Sequence, residues 1–319
     1  MLYANPFDKL KGILPPREIK VVEESPLERL IKLNRELESE ITIPDDWYWE
    51  IHEFRLKLYD QISKRAGDYD VQDISNLTTA LSFEESKNQR TRGAYIGGLL
   101  SLLTEKNHKL NKETTLEIDL NGREFPYLLF ACKYVDTLKI SNVKGDRVGS
   151  LIASYKGNAR IISFDNVKGN DVGSWIAEYN GNAEVVSFDN IEGNDVGFGI
   201  ASNGNAGVIS FNNIEGDWVG SWIASNGNAG VISFNNVKGN WVGSGIAIDN
   251  GNAGVISFDN VKGNWVGSEI ASYKGKYNIL DRKGKYSLQI EQFIQKQRQK
   301  YQNREELNEN IEEFIGSLK

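Results

Sequence analysis

The sequence predicts a β-solenoid, in which the chain winds into stacked coils of short strands, with helical segments on both sides of it. The first observation behind this prediction is a unit of 23 to 24 residues that recurs six times, a period typical of solenoids. The second is the abundance of glycine, 31 residues against 6 prolines, which favours frequent tight turns and excludes helical repeats. The units begin at Asn142, Asn166, Asn190, Asn213, Asn236 and Asn260.

The chain divides into three predicted parts, a helical N-terminal domain over 1–113, the solenoid over 114–284 and an amphipathic helical segment over 285–319. The last segment is long enough that we expect a break in it near Asn303. We expect the N-terminal domain to cap the first coil, because the edge strand of a terminal coil otherwise invites pairing with other chains.

Helix starts in the N-terminal domain are marked by capping residues. Ser25 and Glu28 form a predicted capping box around Pro26 at the first helical position. The pair Asp45-Asp46 is expected to cap a second helix, whose apolar residues recur at helical spacing. Two further helices are predicted around 72–82 and 89–105.

Each repeat follows the consensus N-[VI]-[KE]-G-[ND]-x-V-G-S-x-I-A, then a loop around Gly-Asn-Ala, then [IV]-[IV]-S-F-[DN]. In the first half, Val172, Ser174 and Ile176 alternate with other residues at period two, which indicates a strand with these three on one face. The second half is β-branched and aromatic, as strands are. We therefore predict two or three short strands in each repeat.

Stacked coils turn equivalent positions into ladders. The repeat asparagines are expected to form an amide ladder, and the entering coil is predicted over 116–133. The ladders should stop at Asp281 and Arg282, because a charge cannot stack on a buried ring without exposure to water. The predicted structural core ladder consists of Phe164, Phe188, Phe211, Phe234 and Phe258.

The string G-N-W-V-G-S-G-I at Gly239–Ile246 resembles the GXGXG-type repeat. This repeat forms the right-handed β-helix of the glutamate synthase C-terminal domain and of the C subunit of formylmethanofuran dehydrogenase. The resemblance covers about 137–282 and implies right-handed coiling. It also implies a spacer or docking role beside cofactor-bearing neighbours, and it carries over no catalytic residue.

Composition excludes several classes of function. The formal net charge of −7 and the lack of a basic block argue against nucleic acid as a partner. No apolar run long enough to span a membrane is present, and the single cysteine, Cys132, favours a cytoplasmic location. The only histidines, His52 and His108, lie outside the repeat. We therefore expect no catalytic activity, no cofactor and no metal.

One surface position stands apart from this regular pattern. The residue before the valine of G-[ND]-x-V-G should point away from the core, and Trp222 should fall on the same face. Indoles at this density would form an apolar patch larger than soluble monomers usually expose. The candidate interaction face consists of Trp218, Trp222, Trp241 and Trp265.

We expect this face to be covered, either by the C-terminal segment through Ile290, Phe293, Ile294 and Tyr301 or by another molecule. The leading hypothesis is a non-enzymatic structural or interaction protein, with a protein partner or self-association. An accessory subunit of a redox or one-carbon enzyme complex is the first alternative, suggested by the resemblance alone. A carbohydrate-binding surface on the tryptophans is the second.

Overall fold

A computed structural model describes residues 24–41, 48–299 and 304–318. Within these residues, four helices precede eight strands and two helices follow them. No helix among the described residues is long and apolar enough to cross a bilayer. The helices are α1 (Pro26–Glu40), α2 (Tyr48–Arg65), α3 (Val71–Leu81), α4 (Gln89–His108), α5 (Ser287–Gln299) and α6 (Arg304–Leu318). The strands are β1 (Thr115–Glu124), β2 (Tyr134–Lys144), β3 (Asn158–Lys168), β4 (Asn182–Glu192), β5 (Asn205–Glu215), β6 (Asn228–Lys238), β7 (Asn252–Asp259) and β8 (Lys276–Asp281).

The strands form one parallel sheet in sequence order, which confirms the predicted β-solenoid at about seven turns. Every strand pairs with the equivalent strand of the next coil, so that Phe211 lies opposite Phe234 and Ser210 opposite Ser233. The predicted entering coil is present, because β1 pairs with β2 along most of its length. At the other end of the sheet Asp281 lies opposite Ser257, at the position of the repeat serine. The residue that follows Asp281 is not aromatic, so the column of phenylalanine rings ends there.

Each coil contains one strand, so the prediction of two or three strands in each repeat was wrong. The Val-Gly-Ser half is a run of turns in which every second residue has a positive φ, for example Asp171 (57°), Trp175 (60°) and Ala177 (57°). Its valine, serine and isoleucine are nevertheless buried as predicted. Alternate side chains of this half are therefore buried, as they would be in a strand, although the backbone is not extended.

Backbone amides in this non-strand half bond alternately to the two neighbouring coils. The amide of Asp171 donates to Asn194 O of the following coil at 2.9 Å, and the amide of Gly173 donates to Val148 O of the preceding coil at 2.9 Å. Buried peptide groups need partners, and this arrangement supplies them without a regular sheet. Both halves of the coil are thus tied to their neighbours.

The core of the solenoid is a file of stacked phenylalanines. Ring centroids of Phe188 and Phe211 lie 5.0 Å apart, and those of Phe211 and Phe234 lie 4.9 Å apart, with nearly parallel planes. The predicted asparagine ladder is also present, as Asn213 Nδ2 donates to Asn190 Oδ1 at 3.2 Å and Asn236 Nδ2 to Asn213 Oδ1 at 3.2 Å. These ladders run along the axis of the fold.

The N-terminal helices lie against the first coils. α3 contacts β1 and α4 contacts β2, while α1 begins at the predicted capping box of Ser25 and Glu28. Tyr59 donates its hydroxyl hydrogen to Ser101 Oγ at 2.8 Å, and Ser101 Oγ accepts from the amide of Lys133 at 2.8 Å. The predicted cap at Asp45-Asp46 and the break near Asn303 lie outside the described residues.

The C-terminal helices cover the outer face of the strands, so the expectation that this segment covers the tryptophans was wrong. A valine ladder on that face and the apolar sides of α5 and α6 form a second core, separate from the phenylalanine file. Arg298 of α5 adds an ion pair with Asp189 at 3.1 Å. The residues of the second core are Val185, Val208, Val231, Val255, Ile290, Phe293, Ile294, Leu307, Ile311, Ile315 and Leu318.

A glycine column explains why α6 lies on this face. A Cβ placed on Gly207 would fall 2.6 Å from Leu307 Cδ2, and one on Gly230 would fall 2.7 Å from Ile311 Cδ1. Gly254 meets Ile315 in the same way at 2.7 Å. Residues four apart on one face of α6 therefore each pack on the glycine of one coil. Because glycine has no side chain, the helix can approach the sheet closely.

Candidate aromatic interaction face

Three of the predicted tryptophans form a stack along the non-strand half of the last coils. Ring centroids of Trp218 and Trp241 lie 4.9 Å apart, and those of Trp241 and Trp265 lie 5.1 Å apart, with interplanar angles of 3° and 9°. Trp218 and Trp241 are half-buried, whereas Trp265 is 63% exposed. The indoles thus cover one another's faces and present their edges to solvent, except at Trp265.

Trp222 lies in a neighbouring cluster rather than in this stack. Phe198 contacts Trp175 edge to face at 5.1 Å and lies 6.4 Å from Trp222 at an angle of 29°. Trp222 is 42% exposed. The ring of Trp175 occupies the space above Gly199, where an added Cβ would fall 2.3 Å from Trp175 Cε3. The face therefore consists of two adjoining aromatic clusters.

All five of these tryptophans have a left-handed backbone, with φ between 59° and 60°. This region favours glycine, asparagine and aspartate, and a bulky residue there is an outlier that costs on the order of 1 kcal/mol. Earlier coils place Asp171 and Asp195 at the position of the tryptophan stack, with the same φ of 57°. Arg147 holds this position as well, with a φ of 59°, so the left-handed backbone belongs to the coil and not to the tryptophans alone.

Carboxylates border the aromatic face toward the N-terminal end. Arg147 Nε lies 3.6 Å from Asp171 Oδ2. Burial raises the pKa of Asp171, and burial raises that of Asp195 as well, with a further contribution from the negative charges of Asp171 and Asp217. The face is therefore aromatic at one end and acidic at the other.

Sequence reasoning identified the stack but missed the second cluster. Phe198 replaces a serine of the repeat whose hydroxyl elsewhere donates to the next coil, as Ser174 Oγ does to Asp195 O at 2.6 Å. This break in the serine column could have been read from the sequence. The position of Trp222 beside Phe198 depends on how the backbone turns in this half of the coil. The sequence predicted a strand there, and a strand would have placed Trp222 with the stack.

Residue types that often perform catalysis are engaged in packing here. His52 stacks on Tyr155 with centroids 5.3 Å apart, and burial lowers its pKa. His108 Nε2 lies 2.8 Å from Asp136 Oδ1. Cys132 is buried, which raises the pKa of its thiol to about 11 and leaves little reactive thiolate at neutral pH. These contacts join the helices to the first coils.

A second candidate is an open groove of about 430 Å³ between α6 and the start of the strands. Its wall is a ladder of asparagine amides that bond one another, with Asn205 Nδ2 donating to Asn182 Oδ1 and Asn228 Nδ2 to Asn205 Oδ1, each at 3.0 Å. Each of these bonds uses one of the two hydrogens of the donating amide, so the wall of the groove takes part in the stacking of the coils. The described residues include no group of three or more His, Cys, Asp or Glu that could hold a metal ion.

Comparisons with family models, with curated proteins and with solved structures found no match to this chain. The resemblance to the GXGXG-type repeat therefore rests on the repeat residues themselves. The structure shows a parallel β-solenoid whose last coils carry a partly exposed aromatic face.

Proposed function

We propose that this chain is a non-enzymatic binding protein whose solenoid is a rigid support for the aromatic face. The observation that carries the proposal is the exposure of large indoles in the two adjoining aromatic clusters, since Trp265 is 63% exposed and Trp222 is 42% exposed. Soluble monomers rarely expose several large apolar side chains together, and patches of this kind mark interaction sites. The exposed indoles thus support a surface that contacts another molecule.

The remaining surfaces also support this assignment of the face. The N-terminal helices lie on the first coils, and the C-terminal helices cover the valine ladder. Among the described residues, no helix packs on Trp222 or Trp265. Tryptophan is also the residue type most enriched in the energetic centres of protein interfaces.

The non-enzymatic part of the proposal rests on how the reactive side chains are used. His52 is stacked, His108 lies against Asp136, and Cys132 is buried with a raised pKa. Each of them is held by packing between the helices and the solenoid. A cytoplasmic location belongs to this proposal as well, since a single cysteine forms no internal disulfide.

We also propose that the repeat belongs to the GXGXG-type family and that its coils are right-handed. The string at Gly239–Ile246 supports the family, and the general preference of parallel crossover connections supports the hand. An accessory role in a redox or one-carbon complex follows from that resemblance and remains the alternative. The carbohydrate alternative has less support, because sugars stack on ring faces and the faces within the stack are covered by one another.

The test compares the tagged full-length protein with a Trp222→Asn/Trp265→Asn variant in co-purification from the native host. Asparagine tolerates the left-handed backbone, so we expect the variant to fold. A matched control, Leu56→Asn/Leu110→Asn, removes two similarly exposed apolar side chains elsewhere. We expect partners to be recovered with the wild type and the control and to be lost from the tryptophan variant.

Recovery of the same partners with the tryptophan variant at undiminished yield would refute the assignment of the face. Cofactor-bearing subunits among the lost partners would favour the accessory-subunit alternative. Turnover of a substrate by the purified chain would refute the non-enzymatic assignment.

A further inference from the structure

The C-terminal end of the solenoid is an open end, which we define as residues 261–288. β8 is the last strand of the sheet and, in the described part of the chain, pairs only with β7. The outward peptide groups of such an edge strand are available to another strand. The opposite end differs, because α3 and α4 lie against β1 and β2.

Large apolar side chains are exposed at the open end. Tyr273 is 89% exposed, Leu288 65% and Tyr277 45%, and Trp265 ends the indole stack with one ring face uncovered by any described ring. Tyr273 also has a left-handed backbone with a φ of 59°. Four exposed apolar side chains beside a strand with one free edge form a surface that favours contact with another molecule.

The structure itself shows how such a column is covered at the other end. Tyr155 and Tyr179 occupy the repeat position of Tyr273 and stack at 4.9 Å. His52 of α2 stacks on Tyr155 at 5.3 Å, and the guanidinium of Arg55 lies 5.5 Å from the same ring. The corresponding tyrosine of the open end has no such cover among the described residues.

The open end is basic although the whole chain is acidic. Only one exposed carboxylate, Glu269, accompanies its cations. Lys262 also follows Lys238 in a column where Lys168 pairs with Glu192 across coils at 2.6 Å. A further residue stacked on Lys262 in this column would therefore have to be a carboxylate to form an ion pair with it. The exposed cationic residues are Lys262, Lys274, Lys276, Arg282, Lys283 and Lys285.

We propose that the open end binds an acidic polypeptide segment of a partner protein, which adds to β8 as a further strand. The main chain of the segment pairs with the free edge, its carboxylates meet the lysines, and its apolar side chains cover Tyr277 and Trp265. A second copy of the open end is disfavoured, because its cations would face these cations. The free strand edge favours a polypeptide over a single-stranded nucleic acid.

The experiment uses the full chain and two fluorescently labelled synthetic peptides taken from its own repeats. The acidic probe has the sequence of β4, NAEVVSFDNIE, and the control probe has that of β6, NAGVISFNNVK. Both carry the same pattern of apolar positions, but the first has three carboxylates and the second has one lysine. We expect the β4 peptide to bind, measured by fluorescence anisotropy, and the β6 peptide to bind at least about tenfold more weakly.

Two variants locate the site. Lys274→Glu/Lys276→Glu should weaken the β4 peptide about tenfold, while the charge-matched control Lys57→Glu/Lys112→Glu, at exposed positions away from the open end, should not. Hydrogen exchange should show slower exchange of amides in 276–281 when the β4 peptide is bound. The Trp222→Asn variant should bind it normally, which separates this proposal from that for the aromatic face.

Several outcomes would overturn the proposal. Equal binding of the two peptides, or binding that survives charge reversal at Lys274 and Lys276, would remove the electrostatic basis. Unchanged exchange in 276–281 would exclude strand addition. Concentration-dependent dimerisation that the same charge variant alters would indicate a second copy as the occupant, and tighter binding of a single-stranded oligonucleotide than of the β4 peptide would indicate nucleic acid.

Discussion

Single side chains in this solenoid act as members of ladders, because the equivalent residue of each neighbouring coil lies only about 4.8 Å away along the axis. Phe211 lies between Phe188 and Phe234, and removing its ring would deprive both neighbours of a stacking partner. Lys238 belongs to an exposed ladder, where its ion pair with Glu215 is surrounded by water. Positions within the same repeat therefore contribute very different amounts to the free energy of unfolding.

Phe211→Ala should lower the free energy of unfolding by about 3 to 5 kcal/mol, because it opens a cavity in the ring file. Lys238→Ala is the control and should change it by about 0.5 kcal/mol or less. Urea unfolding of the two variants measures both values. Equal effects would mean that the strand faces are assigned the wrong way round.

The buried carboxyl of Glu178 should make stability depend on pH. The residue is 3% exposed, and burial raises the pKa of its carboxyl to about 8 from an ordinary value of 4.5, against a smaller lowering by the hydroxyl of Ser202. Between these two values the folded chain binds one proton more than the unfolded chain, so the stability contribution of this group falls as pH rises. The group therefore destabilises the fold most at and above about pH 8.

Glu178→Gln should remove this dependence, because glutamine carries no charge at any pH. Melting temperatures of variant and wild type should be similar near pH 5, and the variant should melt at the higher temperature at pH 8. Differential scanning calorimetry across this range measures the difference. A constant difference between the two proteins from pH 5 to pH 8 would show that the carboxyl does not titrate there.

At the scale of elements, the position of α6 depends on matching one helix face to successive coils. Four helical residues rise about 6 Å, against about 4.8 Å between coils, so an inclined helix places one apolar residue over each coil. Leu307, Ile311 and Ile315 do so above the glycine column. The match identifies α6 as a dedicated cover of the strand face.

Ile311→Asp should detach α6 from the sheet, because it buries a carboxylate against Gly230 and Val231, with an expected local cost of about 2 to 4 kcal/mol. Glu309→Ala, at an exposed position of the same helix, is the control and should change stability by about 0.5 kcal/mol or less. Hydrogen exchange of 304–318 should become fast in the first variant alone. Unchanged protection would show that α6 is held by other contacts.

At the scale of the whole molecule, the solenoid is an array in which each coil mainly contacts its neighbours. Strand pairing joins equivalent residues from one coil to the next, and the chain forms no second sheet among its described residues. Stability in such arrays is approximately a sum over repeats and their interfaces. Whole coils should therefore be exchangeable units, whereas fractions of a coil should not.

Deletion of Asn213 to Asn235 should leave a folded protein, because the new junction restores every ladder. The deletion also removes Gly230, one of the glycines on which α6 packs, so the amides of α6 should exchange their hydrogens faster. Deletion of residues 213–224 is the control and should prevent folding, because it places turn residues in strand positions. Circular dichroism and thermal melts distinguish these outcomes, and folding of the half-repeat deletion instead would invalidate the assignment of coils.

The sequence by itself determined the solenoid, its phenylalanine and asparagine ladders, its last coil at Asp281 and the stacked tryptophans. Periodicity was sufficient for these features because each ladder depends only on equivalent residues in adjacent coils. The tertiary structure alone decided that half of each coil is not a strand and that the C-terminal helices cover the valines. Both depend on three-dimensional shape: left-handed residues can bury alternate side chains as strands do, and the glycine column admits a helix that the protruding indoles do not.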